Sequence, residues 1–95
     1  IAYELKTWCT AESFMTEDGD WLQLVSQAVK KTSDRWPFPD TGGGTSDARF
    51  IAPYCPVVEY GLLNKTIHQV DERIALSDLE VLTQTYYEVL QSYFA

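Results

Sequence analysis

Two short stretches carry residue types that could do chemistry. The first is TGGGTSDARF, residues 41–50, in which three glycines precede a cluster of small oxygen-bearing side chains and an arginine. Glycines let main-chain N–H groups approach a ligand closely, and a helix start just beyond them favours negative charge. Thr45 and Ser46 add hydroxyl donors, and Arg49, one turn on, can grip a carboxylate with two parallel bonds. The stretch can therefore floor an anion. A plain loop running into a helix cap accounts for the same residues equally well. No lysine follows the glycines and the spacing is not GxGxxG, so neither a P-loop nor a dinucleotide fingerprint is present.

The second stretch is NKTIHQVDE, residues 64–72, which holds the single histidine, His68, among Asn64, Thr66, Asp71 and Glu72. A lone loop histidine is more often a surface residue than a ligand. Its position after a strand-like segment is where α/β folds keep binding groups. One histidine cannot complete a zinc site, because three or four protein ligands are usual. If His68 holds a metal, the other ligands lie outside these 95 residues. Elsewhere the acids are scattered as solvated faces and helix-start charges, with no paired-carboxylate arrangement, and no GxSxG elbow occurs. Trp8, Trp21 and Trp36 read as core or interface packing.

These stretches need elements to position them. IAYELKTW, residues 1–8, alternates apolar and polar side chains and predicts a half-solvated strand. Trp21, Leu22, Leu24, Val25, Ala28 and Val29 repeat at helical spacing, with Lys30 and Lys31 at the end that favours cations. Pro37 and Pro39 force residues 34–40 to be extended. Thr45 or Ser46 then caps a short helix that Pro53 ends. PVVEYG, residues 56–61, predicts a strand with buried valines, and residues 62–73 an irregular loop. SDLE, Ser77 to Glu80, fits a capping box, and Leu79, Leu82, Tyr86, Val89 and Tyr93 extend a helix to the end. The order strand–helix–strand–helix–strand–helix predicts an α/β fold with a mixed sheet and flanking helices.

Bulk properties narrow the field. Ninety-five residues at 45% hydrophobic content make one small domain whose stability is limited unless a partner covers part of it. A net charge of −7 without a basic run argues against nucleic acid and anionic membranes as partners. No stretch reaches the length of an apolar membrane span. Cys9 and Cys55 lack CxxC spacing and read as reduced thiols of a cytoplasmic protein. The chain opens on Ile1 inside a strand-like segment, which suggests a piece of something longer.

Taken together, TGGGTSDARFIA, VVEYGLLNKTIHQVDE, the Phe14–Thr16 stretch and the long last helix resemble the C-terminal part of bacterial succinyl-diaminopimelate desuccinylases. These are dinuclear zinc amidohydrolases of the M20 peptidase group, and the resemblance covers essentially the whole chain. It implies that residues 1–10 are the last strand of an inserted dimerisation lid and residues 11–95 the C-terminal segment of the zinc-dependent catalytic domain. It assigns His68 as a ligand to one of two zinc ions, which cobalt can replace. Gly44 and Thr45 are implied to contact the diaminopimelate end of the substrate, together with Asn64. The implied reaction is hydrolysis of N-succinyl-LL-2,6-diaminopimelate to succinate and LL-2,6-diaminopimelate, by a homodimer in the bacterial cytoplasm. The general base, the remaining ligands and the lid histidine have no counterpart motif here, so the 95 residues alone are expected to be inactive and to hold no metal. Ala48 and Asp71 depart from the glycine and asparagine common in the family. Two other readings stand beside this one: another M20 deacylase, of the acetylornithine deacetylase kind, and a separate α/β module whose glycine loop binds anions.

Overall fold

The computed structural model describes residues 2–42, 46–63 and 65–95. Three helices form: α1 over Asp20–Ser33, α2 over Ala48–Ile51 and α3 over Leu76–Tyr93. Among the described residues there is no strand, so the expected mixed sheet and its strand–helix alternation are corrected to a helical arrangement.

The reason lies in what a strand requires. Alternation supplies a face, but a ladder also needs a neighbouring backbone. Residues 2–8 are exposed throughout, and their only described ion pair is a loose one between Lys6 and Glu4 at 3.9 Å. In residues 56–61 two carbonyls accept side-chain hydroxyls. The Thr16 hydroxyl donates to the Val57 carbonyl, and the Tyr86 hydroxyl donates to the Tyr60 carbonyl. Val57 and Val58 are half-buried where burial was expected.

α1 forms where the apolar spacing predicts it. Val25, Ala28 and Val29 are buried on its inner face, while Gln23, Gln27 and Lys30 point to solvent. Gly19 opens it in an extended conformation without a side-chain cap. Asp34 closes it in the left-handed region at φ 61°, donating its N–H to the Lys30 carbonyl at 2.9 Å. Lys30 reaches the Asp34 carboxylate at 3.0 Å, which neutralises charge at the carbonyl end of the helix.

α3 lies against α1, running the opposite way. Trp21 at the start of α1 meets Tyr93 at the end of α3 edge to face, with ring centroids 5.9 Å apart. At the other end of the seam Thr32 meets Thr85, and Lys31 pairs with Glu88 at 3.0 Å. The face turned to α1 carries Leu82, Thr85, Glu88 and Val89. The expected stripe is therefore displaced: Leu79 and Tyr86 are exposed, and Thr85 is the fully buried centre. α3 has apolar residues nearly all round, so period alone underdetermines which of its faces packs.

The capping box expected at Ser77 and Glu80 does not form. Ala75 is the N-cap, and its carbonyl accepts the N–H groups of Asp78 and Leu79 at 3.1 and 3.3 Å. At α2 the N-cap is Asp47, without a side-chain cap bond, and not the expected Thr45 or Ser46; the Ser46 hydroxyl accepts the Ala48 N–H at 3.2 Å in the turn before it, and the helix ends before Pro53 as the sequence predicts. Trp8 and Trp36 are exposed, whereas Trp21 is half-buried in the α1–α3 seam.

Much surface stays open. The accessible area is 8445 Å², against about 5,500 Å² for a compact monomer of this mass. The radius of gyration is 17.1 Å, against about 12 Å for a compact chain of this length. No helix of the described residues is long and apolar enough to cross a membrane.

Candidate functional site: the His68 loop and the Arg49 groove

Residues 65–73 form a closed loop whose ends are held by one side chain. The Thr66 hydroxyl donates to the Arg73 carbonyl at 3.1 Å and accepts the Arg73 N–H at 3.0 Å. Within the loop Gln69 donates its N–H to the Thr66 carbonyl at 3.0 Å and its side-chain amide to the Lys65 carbonyl at 3.3 Å. Arg73 turns back to the Asp71 carbonyl at 3.2 Å.

His68 sits on the turn that this framework closes, at φ 60°, with Asp71 at φ 59°. Left-handed backbone at a non-glycine residue costs about 1 kcal/mol, and histidine and aspartate are among the types that accept it. The Thr66–Arg73 pair of bonds closes the loop on which this backbone conformation sits and helps offset that cost. The ring is exposed and makes no hydrogen bond among the described residues. An exposed imidazole on a held turn is a suitable metal ligand. Among the described residues no group of three His, Cys, Asp or Glu side chains comes together to hold a metal ion. His68 thus fits the role of one ligand, and the described residues do not supply the rest of a set.

The other expected site residues, Gly44, Thr45 and Asn64, lie outside the described residues. Their flanks are described. Gly42 donates its N–H to the Asp40 carboxylate at 3.1 Å, and the Ser46 hydroxyl accepts the Ala48 N–H at the start of α2. The glycine run thus has an Asx-type turn before it and a helix start after it.

Arg49 follows on α2. Its guanidinium carbon lies 4.9 Å from the centroid of its neighbour Phe50, and its Nε is buried without a hydrogen-bond partner among the described residues. It lines an open groove of about 950 Å³ between residues 10–22 on one side and the stretch from α2 to Val57 on the other. The Thr16–Val57 bond ties the two walls together. Sequence reasoning singled out Arg49 for anion binding but missed this groove. Its signal was the Phe14–Thr16 stretch, whose role depends on a contact 41 residues away. Cys9 and Cys55 are free and exposed, and Cys55 lines the groove.

Known proteins place the chain in a family. The family model described as peptidase family M20/M25/M40 matches residues 2–92. The chain is 55% identical over 84 residues to a succinyl-diaminopimelate desuccinylase of Rhodopseudomonas palustris, covering 88% of this chain and 22% of that protein. It is 52% identical over 84 residues to the same-named protein of Afipia carboxidovorans, covering 88% of this chain and 22% of the relative. With that of Cereibacter sphaeroides it shares 49% identity over all 95 residues, 25% of the relative's length. The chain therefore spans about a quarter of the curated relatives it matches. With a family match that runs almost from end to end, the chain belongs to peptidase family M20/M25/M40.

Proposed function

We propose that these residues are the C-terminal segment of a metal-dependent amidohydrolase that cleaves N-succinyl-LL-2,6-diaminopimelate to succinate and LL-2,6-diaminopimelate. The observation that carries this reading is identity of about one half, across the whole chain, with a protein named succinyl-diaminopimelate desuccinylase. In this reading residues 1–10 end the lid domain and residues 11–95 belong to the catalytic domain. The working enzyme is a homodimer of the bacterial cytoplasm.

His68 holds one of two zinc ions, sites that cobalt also fills. The exposed imidazole on the Thr66–Arg73 loop supports that role. The bound metals would acidify a water for attack on the succinyl amide. Gly44 and Thr45 offer main-chain and hydroxyl donors to the anionic end of the substrate, and Asn64 offers a side-chain amide. The Asp40 turn and the Ser46–Ala48 bond support this by bracketing the glycine run.

The test is turnover of N-succinyl-LL-2,6-diaminopimelate by the full-length protein with zinc. Release of succinate at an ordinary enzymatic rate is the expected result. Preference for an N-acetyl amino acid would contradict the assignment.

A further inference from the structure

Left-handed backbone at a residue with a side chain persists only where the surroundings impose it. Residues 66–69 form a turn closed by the Gln69 N–H on the Thr66 carbonyl at 3.0 Å. His68 is its third residue and alone in the turn has positive φ, at 60°. Turns of that kind usually place glycine or asparagine there. Packing does not impose the conformation. Every residue from 65 to 73 is exposed except Thr66, which is half-buried. The other bonds within the loop, among the described residues, join positions two to four apart. Only the Thr66 hydroxyl spans it, binding both the carbonyl and the N–H of Arg73, seven positions on. A β-branched side chain is stiff at χ1, so threonine holds that oxygen in place at little entropic cost.

We propose that Thr66 is a positioning residue for the metal site: its clasp on Arg73 holds the His68 turn in the left-handed conformation before metal binds. The imidazole is then presented as a ligand by a loop that is already ordered. Without the clasp the loop would order only on binding, and that lost entropy would come out of the metal affinity. Groups that hold a ligand from behind typically change metal affinity ten- to a hundredfold when removed. Thr66 acts through His68 alone and touches neither metal nor substrate. The proposal rests on reading His68 as a metal ligand.

Thr66→Val keeps the branched shape without the hydroxyl, and Thr66→Ser keeps the hydroxyl. In the metal-free full-length protein, hydrogen exchange over residues 65–73, read by mass spectrometry, should be at least about tenfold faster in Thr66→Val and near the wild-type rate in Thr66→Ser. Competition with a chromogenic chelator should show one of two zinc ions held about ten- to a hundredfold more weakly in Thr66→Val, and within about threefold of wild type in Thr66→Ser. The urea midpoint of the metal-free protein should not move, because the exposed loop takes no part in the α1–α3 seam. Unchanged exchange in Thr66→Val would overturn the proposal, as would wild-type zinc affinity. A serine variant as weak as the valine one would overturn it too, since the hydroxyl would then not be the group that matters. A fall in the urea midpoint large enough to account for the weaker zinc would make Thr66 merely structural. Neither readout needs turnover. Weakened zinc in a protein that releases no succinate contradicts only the proposed reaction, and full zinc affinity of Thr66→Val in an active enzyme contradicts only the clasp.

Discussion

Thr32 and Thr85 share a hydroxyl–hydroxyl hydrogen bond of 2.6 Å across the seam between α1 and α3. Each also reaches a carbonyl of its own helix, Ala28 at 3.0 Å for Thr32 and Val81 at 2.9 Å for Thr85. Thr32 also lies 3.4 Å from the Val29 carbonyl, so two hydroxyls with one proton each share four contacts, and one of them donates across the seam and the other back to its helix. Thr85 is fully buried, which makes this the polar centre of the packed pair.

Thr85→Val keeps the shape and removes the bridge. Thr32 can fall back on the Ala28 carbonyl, so the expected loss is about 1 kcal/mol. A denaturant double-mutant cycle on the full-length protein checks this. The pair Thr32→Val and Thr85→Val should lose little more than the worse single variant. Fully additive losses would mean that the two hydroxyls act independently.

Ser77→Ala tests where α3 begins. With Ala75 at the N-cap, Ser77 is inside the helix and its removal should change stability by less than about 0.5 kcal/mol. A loss of about 1 kcal/mol would restore Ser77 as the cap. Urea unfolding of the variant decides between the two.

The helices were legible in the sequence and the sheet was not. The stripe from Trp21 to Val29 depends on local spacing, which a single segment contains in full. Strand formation at residues 2–8 and 56–61 depends on a partner backbone, and no alternation can provide one. Ser77 and Glu80 had the right spacing for a cap, yet the chain enters the helix two residues earlier, where the Ala75 carbonyl is available. Of the candidate site, the loop carrying His68 followed from its polar residues, while its closure by Thr66 onto Arg73 did not. Arg49 could be singled out from its spacing beyond the glycines as able to reach a carboxylate. The groove around it depends on the distant contact between Thr16 and Val57, and no local pattern encodes that.

Substrate contacts should separate from metal contacts in kinetics. In the full-length enzyme Thr45→Val and Asn64→Ala should each raise KM about tenfold or more while metal content stays at the wild-type level. Loss of metal in either variant would place that residue in the metal shell instead. Elemental analysis beside steady-state kinetics reads both quantities.

The most direct measurement is the effect of His68→Ala on bound zinc and on turnover of N-succinyl-LL-2,6-diaminopimelate in the full-length protein. Holding one of two metals on the Thr66–Arg73 loop predicts loss of about one zinc per subunit and a fall in turnover of at least about a thousandfold. A variant that keeps both zinc ions and most of its turnover would contradict the assignment of His68.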